Sequence, residues 1–429
     1  MVQPNNKEEY FLKKELIDID SPEEKTNGNW IKNIVESHYH TQILAPTGTA
    51  ASIQMLNMVT TDVLRDNTSV VLMEPFNDLT LKIKNLCENK GLSYRYIDPC
   101  LEHPDTINIF EGENIEQIAN MHVEVFLSTL TKDTPQFYKD TQGQYLYLAI
   151  CCLKEVEGNQ ITYSKIDDFL CPLGADYRKE VMGKLKEIDK QELYQRLLEY
   201  HVRFLETESP NRMEQNIQGL LDYLKKIKNN KLFNAVTQTN SFSLEHALDK
   251  GETILFSTEY HQLGIELSSI LGKLIEGKLK LEAWKRLCKE ENERKTLSYV
   301  NMYIDEMQHY VERDFIETIF EIGKQVSFKL TVKHQDTEQL QKFADTVFNN
   351  CLQKIVFGGT KLNDCKKISD LSADQYQANE IYSLPAFNPF NNTPCKAWVK
   401  QIDNSTNNLK YSIQEIEPLY SLDWYKPSK

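Results

Sequence analysis

Short apolar runs rich in β-branched and aromatic residues alternate with helical stretches at both ends of this chain. That alternation dictates a parallel sheet covered by helices. Thr41 to Leu44 is the first run, and it opens into Ala45-Pro46-Thr47-Gly48-Thr49-Ala50-Ala51-Ser52, after which Met55, Met58 and Val63 recur with a helical period. Ser69 to Met73 has the length and branching of a buried strand, Thr80 to Asn89 is helical, Gly91 stops that helix, and Tyr94 to Ile97 is the next strand. The rhythm returns with strands over 253–258, 299–304, 327–332 and 353–357, and with helices over 262–292 and 315–324.

Between these α/β halves the pattern changes. Ile115, Ile118, Met121 and Val125 share one helical face, Tyr145 to Val156 reads as a second helix, and residues 178–206 and 211–228 as two more. No strand pattern interrupts them. The expected organisation is therefore an N-terminal sheet portion over 1–112, an all-helical insertion over 113–230, a C-terminal sheet portion over 231–384, and an irregular tail with a short hairpin over 385–429. Residues 1–36 read as polar and partly extended. No internal repeat is visible.

Bulk properties exclude several classes. A chain of 429 residues exceeds what one compact core usually accommodates, so a main domain with a sizeable satellite is expected. The formal net charge of -14 argues against a protein that coats DNA over its whole surface, but not against a ring whose inner channel alone is basic. The longest apolar stretch, Tyr145 to Leu153, is far short of the ~20 residues that span a bilayer, and the polar N-terminus carries no signal-peptide pattern. The nine cysteines form no CxxC pair, which points to reduced thiols and a cytoplasmic chain. His38 and His40 invite a metal reading, but no carboxylate or cysteine stands at ligand spacing beside them. The run Lys225-Lys226-Ile227-Lys228 is either a phosphate contact or, more commonly for such runs, a solvated helix face.

Three segments carry chemistry. A phosphate-binding loop needs glycines for tight curvature, a lysine for the β- and γ-phosphates, and a Ser or Thr hydroxyl for magnesium. The segment Pro46, Thr47, Gly48, Thr49, Ala50, Ala51, Ser52 has the strand–loop–helix setting and the hydroxyl, but Ala50 and Ala51 stand where glycine and lysine belong, and Ala45 replaces the first glycine. Taken alone it is equally a tight strand-to-helix turn. Asp305 and Glu306 follow the apolar strand Tyr299–Ile304. In an ATPase, Asp305 would hold magnesium together with Ser52, and Glu306 would polarise the attacking water; the plain alternative is an acidic helix cap. Gln335 follows the strand 327–332, where sheet ATPases often place a residue that senses the γ-phosphate. All three segments fall at the carboxyl ends of expected parallel strands, where such sheets bind ligands.

In this order and spacing the chain resembles the conjugative coupling proteins of type IV secretion, within the HerA/FtsK group of hexameric DNA-translocating ATPases. The family loop GPTGSGKS corresponds to APTGTAAS here. Its D-P-K-G-[DE]-L corresponds to Glu74-Pro75-Phe76-Asn77-Asp78-Leu79, and its I-N-P-L to Ile107-Asn108-Ile109-Phe110. Its D-E-F corresponds to Asp305-Glu306-Met307, its G-R-K to Gly323-Lys324, and its A-T-Q or L-Q-Q to Lys333-His334-Gln335. The resemblance spans about residues 38–370. It implies a P-loop, RecA-like α/β fold with a helical insertion, ATP and magnesium as cofactors, and a ring in which Lys324 reaches a neighbour's nucleotide. It also implies DNA or nucleoprotein as cargo, and service to membrane machinery through partners, since the family's transmembrane hairpin has no counterpart here.

The departures from the family bear on activity. Without the loop lysine, and with Lys324 for an arginine that would grip phosphate bidentately, ATP hydrolysis is expected to be slow or absent. Erosion at Ala45, Phe76 and Lys324 fits natural decay into a pseudo-ATPase, while intact flanks around Ala50-Ala51 fit a deliberate replacement of Gly-Lys. The expected function is a coupling-protein-like subunit impaired in hydrolysis. The alternatives are a non-hydrolysing scaffold in a secretion, conjugation or mobile-element complex, and an unrelated nucleotide-binding α/β enzyme.

Overall fold

The computed structural model describes residues 29–206, 210–310, 313–373, 375–386 and 395–427. The chain divides into two compact units, one of residues 1–97, 243–258 and 282–429, the other of residues 98–242 and 259–281.

The first unit is built on a nine-stranded sheet in the order β3-β4-β2-β5-β6-β1-β7-β8-β9. Seven strands run parallel: β1 (Thr41–Leu44), β2 (Thr68–Glu74), β3 (Tyr94–Ile97), β4 (Thr253–Ser257), β5 (Tyr299–Ile304), β6 (Phe328–His334) and β7 (Gln353–Phe357). These match the strands expected from apolar runs. Every residue of β1, β2, β4, β6 and β7 is buried, as a parallel sheet flanked by helices requires. Helix α2 (Ala51–Val63) connects β1 to β2, and α3 (Leu79–Lys90) connects β2 to β3. The α3 helix ends at Gly91, whose φ of 66 is the left-handed cap that glycine adopts without strain. The long α4 (Ile265–Leu287) leads toward β5, and α5 (Arg313–Val326) connects β5 to β6.

Both ends of this unit differ from the sequence reading. Where residues 1–36 were read as partly extended, Asn29–Glu36 forms helix α1, burying Trp30, Ile31, Ile34 and Val35; residues 1–28 lie outside the described part. Where an irregular tail with a short hairpin was expected from 385 onward, the hairpin is formed by β8 (Cys395–Asp403) and β9 (Asn408–Ile416), and it extends the sheet antiparallel beyond β7. The chain after β9 then runs along α2 and α3. Asn57 Nδ2 donates to the Glu417 carbonyl at 2.8 Å, the Thr60 and Tyr425 hydroxyls meet at 2.9 Å, and Lys90 sits 3.6 Å from the Trp424 ring centre. The two hydrogen-bonded pairs are 360 and 365 residues apart, beyond the reach of local periodicity.

The second unit is helical: its described residues contain no strand. Its principal helices cover Ile115–Thr129, Gln136–Glu157, Tyr163–Leu170, Ala175–Glu187, Gln191–Glu206 and Pro210–Lys228. Asn114 and Thr162 cap two of them by accepting from Gln117 N and Lys165 N. The stretch 178–206, read as one helix, breaks near Asp189, which takes a left-handed φ of 56. The unit is also wider than the 113–230 insertion, starting at Asp98 and including residues 259–281. Its core holds buried polar groups bonded within the chain. His122 Nδ1 meets the Tyr163 hydroxyl at 2.7 Å, and the Arg178 guanidinium donates to the carbonyls of Phe169 and Cys171 at 2.6 and 2.7 Å. Two members of the lysine run pair within the chain: Lys226 with Glu266 at 2.5 Å, and Lys228 with Asp167 and Asp168.

Among the described residues no helix is long and apolar enough to cross a membrane.

Candidate functional site

Strand register brings the three motif segments to one edge of the sheet. Leu44, the last residue of β1, lies opposite His334 of β6, and Ile304, the last residue of β5, lies opposite Val332. The loop 45–50, the pair Asp305-Glu306 and Gln335 therefore all leave the carboxyl edge, from neighbouring strands in the order β5-β6-β1.

The loop keeps the backbone shape of a phosphate cradle. Ala45 N donates to His334 O at 3.1 Å, tying the loop to β6. Pro46 to Thr49 close a turn in which the Thr49 amide and hydroxyl reach the Pro46 carbonyl at 3.4 and 3.0 Å. Thr47 and Gly48 are exposed, and Gly48 sits at φ 84, a conformation that a residue with a Cβ adopts only under strain. The first intrahelical bond of α2 runs from Gln54 N to Ala50 O, so the amides of its first turn point out of the helix end, toward where an anion binds. The side chains tell a different story. Ala50 and Ala51 are 4% and 2% exposed and belong to the apolar core that includes Met55 and Ile43. Ser52 is half-buried at the start of α2.

The acidic side of the site is densely bonded. Asp305, 5% exposed, receives the Lys333 ammonium on Oδ1 at 2.6 Å and the Glu306 amide on the same oxygen at 2.7 Å. Lys333 also lies 3.4 Å from Glu306 Oε1. The other Glu306 oxygen accepts from Gln308 Nε2 at 2.6 Å and from Gln335 Nε2 at 3.3 Å. Gln335 is held in turn by Gln339 through its amide N–H, at 3.2 Å. Glu306 takes a left-handed φ of 49, which turns the chain sharply after β5. Burial by itself would lower the Lys333 ammonium, but Asp305 and Glu306 outweigh it and hold the lysine charged above its ordinary value. Burial pushes the Asp305 carboxyl up, against the pull of Lys333. Glu306 would also rise on burial, yet Lys333 and the amides of Gln308 and Gln335 bring it below the usual range.

A third carboxylate stands at this edge. Glu74 ends β2, next to β5, and is 2% exposed. Its Oε1 accepts from the Thr80 amide at 2.5 Å and hydroxyl at 2.8 Å. Burial, with the charge of Asp305 adding to it, pushes Glu74 up to about 7 despite the Thr80 hydrogen bonds.

Lys324 does not join this group. It is exposed in the last turn of α5, beside the start of β6, and with Tyr299, Phe328 and Lys329 it lines a small cleft at the amino edge of the sheet. His38 lines the same cleft and stacks on Tyr299. His40 accepts the Leu330 amide on Nδ1 at 3.0 Å, and burial depresses it to about 4. Both histidines therefore have packing roles, as the missing ligand partners indicated.

Sequence reading missed Lys333 as a site residue. The signal was present: β6 reads Phe-Lys-Leu-Thr-Val-Lys-His, and a lysine inside a strand buried on both faces must find a counter-charge. Lys329, four residues earlier, does the same at the other end of β6, donating to the carbonyls of Ile34 and Val35 at the end of α1.

The site discriminates between the groups the resemblance implies. A phosphate fits the loop, whose exposed turn and helix end offer amide donors. A divalent cation shared by Ser52 and Asp305 fits poorly as the chain stands, because a buried ammonium already sits on Asp305 Oδ1.

A mainly parallel sheet with its ligand-type residues at the carboxyl edge, together with a helical unit, makes a P-loop-type α/β fold. Solved structures share it. The plasmid coupling protein TrwB in complex with the non-hydrolysable GTP analogue GDPNP superposes with a TM-score of 0.61 at 16% identity, over 88% of this chain and 85% of that one. TrwB with ADP and Mg2+ gives a TM-score of 0.62 at 16% identity, over 88% and 84%. VirB4 of Thermoanaerobacter pseudethanolicus gives 0.51 at 14% identity, over 88% of each chain. No protein-family model matches the sequence, and a search of curated proteins finds no match.

Proposed function

We propose that this chain is a coupling-protein-like subunit serving DNA or nucleoprotein transfer, with ATP hydrolysis impaired or absent. The observation that carries this is the pairing, at one sheet edge, of a phosphate-shaped loop without a cation and a carboxylate pair already neutralised by Lys333. Phosphoryl transfer relies on positioned positive charge at the β- and γ-phosphates. Ala51 supplies none, and Glu306 has both oxygens engaged. A nucleotide, which the TrwB structures hold, would here rest on the backbone amides between Thr47 and Ser52, bound weakly and left intact.

Lys324, exposed at the opposite edge, has the placement of a residue that acts on a neighbouring copy. Head-to-tail contacts between copies close into a ring, and a ring would present this edge to the next subunit's nucleotide. Mass measurement at micromolar concentration, with and without nucleotide, tests assembly; a stable two-fold dimer burying the Lys324 face would contradict the ring.

A second reading, a non-hydrolysing scaffold or adaptor in a secretion, conjugation or mobile-element complex, is favoured by the burial of Ala50 and Ala51 in the core. Nucleotide binding and hydrolysis, measured on the chain beside an Ala50→Gly, Ala51→Lys double variant, test both. Weak binding without turnover supports the first reading, and no binding even at millimolar nucleotide supports the scaffold. Robust turnover that disappears with Glu306→Gln would overturn both.

A further inference from the structure

We propose that the Lys333 ammonium is a built-in cation that holds Asp305 and Glu306 in place of a divalent metal, so that this sheet edge is organised without magnesium. The inference rests on reading this edge as derived from a nucleotide site. The nitrogen lies 2.6 Å from Asp305 Oδ1 and 3.4 Å from Glu306 Oε1, so one cation spans both carboxylates as a metal bridge would. All three side chains are largely withdrawn from water, with 9%, 7% and 14% of the Lys333, Asp305 and Glu306 side chains exposed. Further contacts to these carboxylates come from protein: the Glu306 amide on Asp305 Oδ1, and Gln308 and Gln335 on Glu306.

Magnesium demands near-octahedral coordination and keeps several of its waters. The ammonium and the amides take the positions that those waters and the metal would need, and a divalent ion beside a fixed ammonium meets strong like-charge repulsion. The backbone of Lys333 is fixed on an interior strand of the sheet, paired with Ile43 of β1 in register. The position is also telling against Ala51. A positive charge is missing from the loop and present one strand's width away, on the strand between the loop and the acids.

The test is Mn2+ binding, followed by the loss of the free-ion EPR signal, on the full chain without nucleotide. The wild-type chain is expected to bind no Mn2+ up to about 1 mM. Lys333→Met keeps the bulk and removes the charge, and is expected to gain Mn2+ binding at least tenfold tighter than wild type. Lys333→Met combined with Asp305→Asn is expected to lose that gain. Lys333→Arg keeps a cation and is expected to stay metal-free. The proposal is overturned if wild-type chain binds Mn2+ and Asp305→Asn abolishes it, or if folded Lys333→Met gains nothing. Should Lys333→Met fail to fold, Lys333→Arg decides: Mn2+ binding by that variant counts against the lock and its absence supports it. A separate ADP titration of the wild-type chain reads the functional proposal independently, since loop amides can bind phosphate whether or not the acids are locked.

Discussion

The loop after β1 and the acids after β5 leave the same edge of the sheet with one strand between them, yet they are built in opposite ways. The loop carries no charge and buries Ala50 and Ala51 in the apolar core. The acids are charged groups with a buried ammonium beside them. The contrast teaches that one sheet edge can leave a group out on one side and satisfy its polar groups internally on the other. It also predicts different costs of disturbance, because an apolar loop tolerates a new polar group by turning it outward, whereas a buried ion pair cannot lose one partner cheaply.

The largest effect should come from breaking the acidic side alone. Asp305→Ala leaves the buried ammonium with Glu306 alone, 3.4 Å away, and urea denaturation should show a loss of about 3 kcal/mol. Replacing both partners, as Asp305→Leu with Lys333→Met, should recover most of that loss, since an apolar pair of similar volume is often as stable as a buried ion pair. If Asp305→Ala proves as mild as a surface change, the two sides do not differ in the way described.

Next in size is restoration of the loop. Ala50→Gly with Ala51→Lys adds one charge-assisted contact to phosphate, worth roughly 1.5–3 kcal/mol. Isothermal titration with ADP should therefore show affinity rising about ten- to a hundredfold. Turnover should follow only weakly while Lys333 still holds Asp305. A double variant with full turnover would mean that the acidic side was never closed.

The amino edge of the sheet offers a control away from both sides. His40 is buried, accepts the Leu330 amide, and is depressed to about 4 chiefly by burial, with Lys329 adding to it. An unfolded histidine takes up its proton near pH 6.5, while the folded one does not until about pH 4. Between those values the unfolded chain binds more protons, so stability falls as pH falls through this window, by on the order of 2 kcal/mol at pH 5. His40→Gln should flatten the slope of melting temperature against pH there without altering Mn2+ or nucleotide binding.

The smallest effect belongs to an ion pair of the same chemistry on the surface. Lys226 meets Glu266 at 2.5 Å with both side chains about half exposed, so Lys226→Ala should change stability by no more than about 0.5 kcal/mol. A cost near that of Asp305→Ala would show that burial is not what separates the two pairs.

Much of this molecule was legible without coordinates. The seven parallel strands follow from short β-branched runs bounded by turn residues, because local period and length decide whether a segment can form a strand buried on both faces. The loop, Asp305, Glu306 and Gln335 were legible as candidates because each follows such a run, and the carboxyl ends of parallel strands necessarily share one edge. The hairpin of β8 and β9 was underestimated. Masked by Pro and Asn around it, its apolar alternation gains meaning only when Val399 and Trp398 find Ile355 and Val356 across the ladder.

What the amino-acid sequence determined by itself is therefore the alternation of strands and helices, the helical character of the second unit, and the absence of a lysine from the loop. Those are properties of single segments, carried by period, length and residue type. The tertiary structure alone decided where Lys333 goes. Its partner Asp305 is 28 residues away, on the neighbouring strand, and the register of β5 against β6 sets that ammonium against that carboxylate. A shift of one residue would turn the lysine to the other face of the sheet, so the charge balance of the site rests on a pairing that no local pattern encodes.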